Sequence, residues 1–144
     1  MRLIDEIVVH CTATNPKWYA DRSAEDVVKE IRRWHVEERN WLDIGYHAVI
    51  HRNGEVAQGR PDWKKGAHVA GRNATTLGFA LVGGRGCVAN GKFEDNYTPE
   101  QEDALRKLIG EYKGKYPGIL KVTGHNDYAS KACPGFNVGE WYEA

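Results

Sequence analysis

Apolar and polar positions divide the first part of the chain into one strand-like and one helix-like segment. The apolar run Ile7–Val9 ends in His10 and predicts a buried strand that delivers this histidine at its carboxyl end. Ser23 is a typical helix N-cap, and the apolar residues that follow it recur at helical spacing. We therefore expect a helix that starts after Ser23 and ends near Asn40.

The middle of the chain has the pattern of a β-hairpin followed by a long loop. Residues 44–51 alternate between two faces and predict a second strand, and Asn53-Gly54 is a hairpin turn signal before a return strand at 56–59. Residues 61–76 predict a long loop, which in a small domain is usually functional or mobile. The apolar segment 79–82 predicts a third buried strand.

The last third of the chain predicts a long helix, a strand and a short terminal helix. Thr98-Pro99 with Gln101 is a strong helix start, because threonine caps the helix and glutamine completes a capping box. Residues 119–123 predict a fourth core strand, 124–135 a loop and 136–142 a short helix.

The alternation of strands and helices predicts an α/β fold with a central mixed β-sheet flanked by α-helices. The hairpin supplies the antiparallel pair of that sheet. The chain has 144 residues, which is an ordinary length for one domain, and it contains no repeat or linker. We therefore expect residues 1–144 to form a single domain.

Charge and composition exclude several classes of protein. Lys and Arg total 20, as do Asp and Glu, so the net charge of zero argues against non-specific nucleic-acid binding. No apolar run is long enough to cross or insert into a membrane, and acidic residues interrupt the N-terminal segment before a secretion signal can form. We therefore expect a cytoplasmic protein whose three cysteines are thiols or metal ligands. Its five Trp and seven Tyr fit either an aromatic core or a groove for sugar or peptide.

Three residues at or after strand ends have the chemistry of a metal site. His10 ends the first strand, His125 follows the fourth strand, and Cys133 comes eight residues later. Strand ends meet at one edge of an α/β sheet, and two imidazoles with one thiolate are good zinc ligands that leave a position open for water. The spacing alone leaves open that the histidines are ordinary polar residues and that Cys133 is a small buried side chain.

Two further residues are placed to act beside such a metal. Tyr46 lies inside the predicted second strand, and its phenol is suited to shuttle a proton or to donate a hydrogen bond to an oxyanion. Lys131 is two residues from Cys133, so in extended chain both side chains face the same way and the ammonium would stabilise negative charge on a tetrahedral intermediate. The alternatives are a tyrosine that packs on the sheet and a solvated loop lysine.

Four segments in order along the chain resemble the zinc-dependent N-acetylmuramoyl-L-alanine amidases. These segments are 9–14, with the sequence VHCTAT, 41–47, with WLDIGYH, 81–84, with LVGG, and 131–134, with KACP. The resemblance is strongest to the small phage endolysins called phage lysozymes, and the fold is the one shared with peptidoglycan recognition proteins. It extends from about Ile7 to about Trp141, nearly the whole chain.

The resemblance implies a role for five residues, position by position. His10, His125 and Cys133 match the ligands of one zinc ion per chain. Tyr46 matches the catalytic tyrosine, and Lys131 matches the catalytic lysine of the endolysins. The implied reaction is hydrolysis of the amide bond between N-acetylmuramic acid and L-alanine, in which a water activated by zinc attacks the carbonyl.

The substrate is implied to be the muramyl peptide of bacterial peptidoglycan, bound in a groove. His68 matches a histidine that lines this groove, and the loop residues Trp18 and Trp63 are candidates for its walls. A phage endolysin would lyse the host cell and would reach the wall from the cytoplasm through a membrane pore made by another protein. We expect it to act as a monomer.

One alternative shares the chemistry, namely a host cytoplasmic enzyme that recycles wall fragments and prefers soluble muropeptides to intact walls. Two further alternatives use the same fold. One is a non-catalytic peptidoglycan-binding module, which commonly lacks a metal ligand, whereas all three ligand positions are intact here. The other is a partner that regulates an RNA polymerase. Related endolysins bind the polymerase through an N-terminal extension, and the first predicted strand here already begins at Ile7, which makes polymerase binding doubtful.

The remaining cysteines and histidines have no predicted role in catalysis. We expect Cys11 to point away from His10 and to be a buried thiol, and Asp127 to be a turn residue. Cys87 is unassigned. Three further histidines are not expected to bind the metal, namely His35, His47 and His51.

Overall fold

A computed structural model describes residues 2–144 and contains one five-stranded sheet. Its strands are β1 (Glu6–Cys11), β2 (Ala48–Ile50), β3 (Val56–Gln58), β4 (Thr76–Leu81) and β5 (Lys121–Gly124). The order across the sheet is β3-β2-β4-β1-β5. Only the edge strand β3 is antiparallel to its neighbour, and the other pairs are parallel. The predicted α/β class and mixed sheet are confirmed.

Three α-helices accompany the sheet, α1 (Ala24–Arg33), α2 (Pro99–Lys115) and α3 (Val138–Glu143). Both predicted N-caps are present, since the Ser23 and Thr98 side chains accept backbone N–H groups of the first turn. A π-helical turn, Trp34–Glu38, continues α1, so this helix stops close to the predicted end. Among residues 2–144, no helix combines the length and the apolar character needed to cross a membrane.

One face of the sheet is apolar from β2 to β5 and packs against α2 and α3. Alternate residues of the central strands point to this face, and their burial drives the packing of the helices on it. The main contributors are Ile7, Val9 and Cys11 of β1, Leu77, Phe79 and Leu81 of β4, and Leu105, Leu108 and Ile109 of α2.

The opposite face is divided between a second apolar cluster and a polar strip. Helix α1 packs on Val49, Ala80 and Val82 near one side of the sheet. The rest of this face belongs to β1, β4 and β5 and carries, besides the buried Val8, residues that are polar or small. The polar or small residues are Glu6 and His10 of β1, Thr76 and Gly78 of β4, and Lys121 and Thr123 of β5.

Several predicted boundaries are wrong by a few residues. The second strand covers only Ala48–Ile50 rather than 44–51, because the carbonyls of Gly45 and Tyr46 accept hydrogen bonds from the loop residues Ala67 and Arg60. Tyr46 therefore lies before β2 and not inside it. The third predicted strand starts earlier, at Thr76.

The last strand and the last helix each begin slightly later in the chain than predicted. Strand β5 begins at Lys121 and ends at Gly124, whereas 119–123 was expected. Helix α3 begins at Val138 instead of residue 136, because Phe136 is buried in the core and Asn137 caps the helix.

Candidate metal centre

The three residues suggested as metal ligands meet near the carboxyl ends of β1 and β5. His10 lies near the end of β1, His125 directly follows β5, and Cys133 lies in the loop beyond it. One potential ligand atom from each of the three side chains lies within 4.8 Å of the other two. The imidazole centroids of His10 and His125 are 4.6 Å apart.

The spacing of the donor atoms fits a tetrahedral zinc ion. Zinc binds imidazole nitrogen at about 2.1 Å and thiolate sulfur at about 2.3 Å, which sets its ligand atoms about 3.3–3.7 Å apart. The upper limit of 4.8 Å between the donor atoms therefore requires them to approach one another by about 1.5 Å at most. Three protein ligands also leave one position open, as in catalytic zinc sites.

A chain of hydrogen bonds fixes which nitrogen of His10 is available to a metal. Nε2 of His10 is 2.8 Å from Nδ1 of His68, whose Nε2 is 3.1 Å from the Thr76 hydroxyl. Thr76 donates in turn to the backbone carbonyl of Arg72 at 2.9 Å. A carbonyl only accepts, so Thr76 accepts from His68, and His68 accepts from Nε2–H of His10. Neutral His10 is therefore unprotonated at Nδ1, which has the lone pair that a metal ligand needs.

Both histidines of the donor set are neutral at neutral pH. Burial, followed by the nearby His68 and His125 rings, lowers the pKa of His10 well below its usual range. Burial and the Lys131 ammonium lower the pKa of His125. The neutral imidazole is the form that binds metal, so no proton has to be displaced from either ring.

The sulfur of Cys133 receives a hydrogen bond from the chain next to His10. The backbone N–H of Cys11 donates to Sγ of Cys133 at 3.1 Å, a contact suited to a metal-bound thiolate. The hydrogen bond with the Cys11 thiol and burial raise the pKa of Cys133, so a proton leaves this sulfur when a metal binds. The Cys11 side chain points into the core on the opposite face and is 5% exposed. The expectation that Cys11 is a buried thiol facing away from His10 is confirmed.

Tyr46 stands beside the donor set and is held there by its neighbour Gly45. Its ring centroid is 5.3 Å from that of His10. The N–H of Gly45 donates to Nδ1 of His35 at 2.9 Å, and its carbonyl accepts from Ala67 at 3.1 Å. Burial raises the pKa of the Tyr46 phenol, which therefore stays protonated and able to donate a hydrogen bond.

The donor set opens into a groove of about 580 Å³. Lys131 is exposed on its wall, and Tyr46 and His68 contribute to its lining. Arg39 and Trp41 also line the groove, with the guanidinium 5.3 Å from the centre of the indole. Among the described residues that line the groove, none is acidic, so its charge is positive although the whole chain is neutral.

Sequence reasoning missed Arg39 and Trp41 because their positions depend on the π-helical turn at the end of α1. That turn buries His35, whose ring accepts from Gly45, and so brings the following segment to the groove. No apolar periodicity predicts such a turn. The available signal was that Trp41 lies in the same motif as Tyr46.

The three suggested substrate-binding residues have different positions. His68 lines the groove, but both of its ring nitrogens are already bonded within the protein. Trp18 packs on Trp34 at a centroid distance of 5.2 Å, beside the core under α1. Trp63 is 62% exposed, and neither tryptophan is part of the groove lining. Their suggested role as groove walls therefore has no support from their positions.

The residues expected to stay outside the metal site do so. Asp127 accepts the N–H of Gly124 at 2.8 Å, so it is a turn residue as predicted. Among residues 2–144, the cluster of possible metal donors around His10 does not include His35, His47 or His51. Cys87 is half-buried next to Gly135, outside the donor set.

Comparisons with known proteins agree on one family. The family model described as N-acetylmuramoyl-L-alanine amidase matches residues 1–136. The endolysin of Klebsiella phage KP32 is 45% identical over 139 residues, which cover 96% of this chain and 85% of that protein.

Solved structures show the same architecture. The N-acetylmuramoyl-L-alanine amidase LysC from Clostridium intestinale URNW matches with a TM-score of 0.72 and 30% identity, covering 96% of this chain and 80% of LysC. Bumblebee PGRP-SA matches with a TM-score of 0.76 and 24% identity, covering 97% of this chain and 80% of its own, which is a similarity of fold.

Gly78 provides the space in which the His68 ring lies against the sheet. A Cβ at Gly78 would lie 2.5 Å from Cγ of His68, so Gly78→Ala displaces the ring from His10. We expect Gly78→Ala to lower the free energy of unfolding by about 1–3 kcal/mol. We also expect about tenfold weaker zinc binding from the loss of the His10 partner. Chemical denaturation and competition with a chelator measure the two effects.

Gly110 is the matched control, because a Cβ there meets nothing within 4 Å and the residue lies inside α2. Gly110→Ala is expected to raise the free energy of unfolding by roughly 0.5–1 kcal/mol and to leave zinc binding unchanged. Wild-type stability and zinc affinity in Gly78→Ala would contradict the role assigned to this space.

Proposed function

The chain belongs to the N-acetylmuramoyl-L-alanine amidase family, and on this premise we propose that His10, His125 and Cys133 hold one catalytic zinc ion. The protein is an amidase of the phage endolysin type, which hydrolyses the bond between N-acetylmuramic acid and L-alanine in host peptidoglycan. The proposal rests above all on the convergence of the three donors, with Nδ1 of His10 unprotonated and available to a metal.

The donor set suits hydrolysis of an amide. When bound, zinc supplies a Lewis acid for the carbonyl and lowers the pKa of water to roughly 7. His68 keeps the His10 ring in one orientation and one tautomer throughout the reaction. The N–H of Cys11 stabilises negative charge on Cys133.

Lys131 and Tyr46 are proposed as the two catalytic side chains. The Lys131 ammonium, on the groove wall, stabilises the negative charge that develops on the amide oxygen as water adds. Tyr46 keeps its proton because of burial, so it donates a hydrogen bond to the reacting group. It would relay a proton to the departing amine only while regaining one from the attacking water, so that no free phenolate forms.

The groove is proposed to bind the muramyl peptide. Its two cations, Arg39 and Lys131, are complementary to the carboxylates of a peptide stem, and no acidic side chain among the described lining residues opposes them. Trp41 offers an aromatic surface on the same wall. His68 contributes its ring face to the lining, while its nitrogens serve the metal site.

The complete donor set favours an enzyme over a peptidoglycan-binding module. A module that only binds has no need of a histidine locked with Nδ1 free, or of a backbone N–H aimed at Cys133. In keeping with its similarity to endolysins, the enzyme is further proposed to act on the wall from inside the host cell, through a membrane pore made by another protein.

Replacing either proposed catalytic side chain should abolish most activity without loss of the metal. Lys131→Ala and Tyr46→Phe are expected to fold, to bind one zinc ion and to hydrolyse cell walls about 10²–10³-fold more slowly, the usual effect of losing one oxyanion donor. Release of new amino termini from purified peptidoglycan measures the rate.

Lys64→Ala and Tyr142→Phe are matched controls, because they remove the same groups outside the groove lining. Both controls are expected to retain the wild-type rate. Wild-type turnover in Lys131→Ala or in Tyr46→Phe would exclude the catalytic role of that residue.

Removing the thiolate should weaken the metal site selectively. Cys133→Ser is expected to lose zinc during dialysis against a chelator under conditions in which the wild-type protein keeps one ion per chain, because the hydroxyl is a poorer ligand than the thiolate. Cys87→Ser is the control outside the donor set and should keep its zinc. Metal analysis that finds one tightly bound zinc per chain in Cys133→Ser would count against the proposed ligand.

A further inference from the structure

A buried carboxylate lies on the same sheet face as His10, at the start of β1. Glu6 is 1% exposed, and an isolated carboxylate in such a place is costly unless it is well hydrogen-bonded. The Thr123 hydroxyl donates to Oε2 at 2.6 Å, and the Tyr128 hydroxyl donates to the same oxygen. The other oxygen, Oε1, lies 3.4 Å from a guanidinium nitrogen of Arg72 and 3.9 Å from the Lys121 ammonium.

The ring of Tyr128 is held from two directions. Its hydroxyl donates to Glu6 and accepts from Nη2 of Arg72 at 3.0 Å. The Arg72 guanidinium also lies 4.1 Å from the ring centre, in a cation–π contact. Glu6 is buried in β1, so these contacts tie Tyr128 to the sheet.

Tyr128 lies in the middle of the segment that carries most of the proposed site. It is three residues from His125 and three from Lys131, and its N–H donates to the His125 carbonyl at 3.0 Å. The carboxylate of Glu6 therefore anchors this segment to the sheet through the Tyr128 hydroxyl. Tyr128 and Lys131 both line the groove.

Arg72 joins this anchor to the other half of the metal site. Its carbonyl ends the hydrogen-bond chain from His10 through His68 and Thr76, while its guanidinium holds Tyr128 and Glu6. The two strands that supply His10 and His125 are adjacent in the sheet. The network joins the loop after β5, which carries Tyr128, to the segment before β4, which carries Arg72. Arg72 therefore contacts Thr76, which supports His10 through His68, and also Tyr128, which lies in the segment of His125 and Lys131.

We propose that Tyr128, anchored by Glu6 and Arg72, is a positioning residue that sets the place of Lys131 relative to the metal site. The inference rests on the proposed function, since it acts through Lys131. A merely structural network would stabilise the fold and would affect the reaction to the same degree whether or not Lys131 is present. A positioning network loses its effect on the reaction once Lys131 is removed.

A double-mutant cycle on the zinc-loaded protein distinguishes these cases. Tyr128→Phe removes only the hydroxyl and is combined with Lys131→Ala, and kcat and KM are measured on soluble peptidoglycan fragments. We expect Tyr128→Phe alone to lower kcat about tenfold with KM within about twofold of wild type. In the Lys131→Ala background the same change should alter kcat by less than about twofold.

Two further variants secure the interpretation. Glu6→Gln keeps the shape of the anchor but removes its charge, and it should show the same dependence on Lys131. Tyr142→Phe removes a phenol that contacts Lys113 outside the groove and should leave kcat unchanged. Thermal unfolding of each zinc-loaded variant confirms that the measured protein is folded.

The outcomes separate the inference from its premise. Equal fold-changes in both backgrounds, or wild-type kcat in Tyr128→Phe, would overturn the positioning role while leaving the proposed function of Lys131 intact. Wild-type kcat in Lys131→Ala alone would instead contradict the proposed function and, with it, this inference.

Discussion

The hydrogen bond between His10 and His68 is the interaction on which the proposed metal site depends. It is the first of a series of hydrogen bonds that ends on the Arg72 carbonyl. Because a carbonyl only accepts, each hydrogen bond in the series has a fixed donor and a fixed acceptor. The result is an imidazole whose Nδ1 is free of a proton. Gly78 makes the arrangement possible, because any larger residue would occupy the space of the His68 ring.

One face of the sheet supplies most of the stability of the fold, and the other face carries the proposed site. One face is apolar from β2 to β5 and is covered by α2 and α3, which supplies most of the buried hydrophobic surface. The other face is covered by α1 only in part, and its remaining strip carries the polar network, the donor set and the groove. A sheet stabilised on one face can therefore tolerate Glu6, His10 and Thr76 on the other.

The sequence predicted the class of fold and the donor set because both depend on local patterns and on the order of motifs. Apolar runs placed His10 and His125 at strand ends, Cys133 follows His125 by eight residues, and the resemblance implied that the three bind zinc. Tyr46 was placed wrongly within a strand, since the bonds that pull it away come from the distant loop residues Ala67 and Arg60. The contact of Glu6 with Tyr128 joins residues 122 positions apart and leaves no local pattern.

X-ray absorption at the zinc edge of the zinc-loaded protein identifies the atoms bound to the ion. Ligation by His10, His125 and Cys133 predicts a four-atom shell with one sulfur at about 2.3 Å and three nitrogen or oxygen atoms at about 2.0–2.1 Å, two of them from imidazole rings. A shell made only of nitrogen and oxygen, or one with a single imidazole, would contradict the ligation by His10, His125 and Cys133.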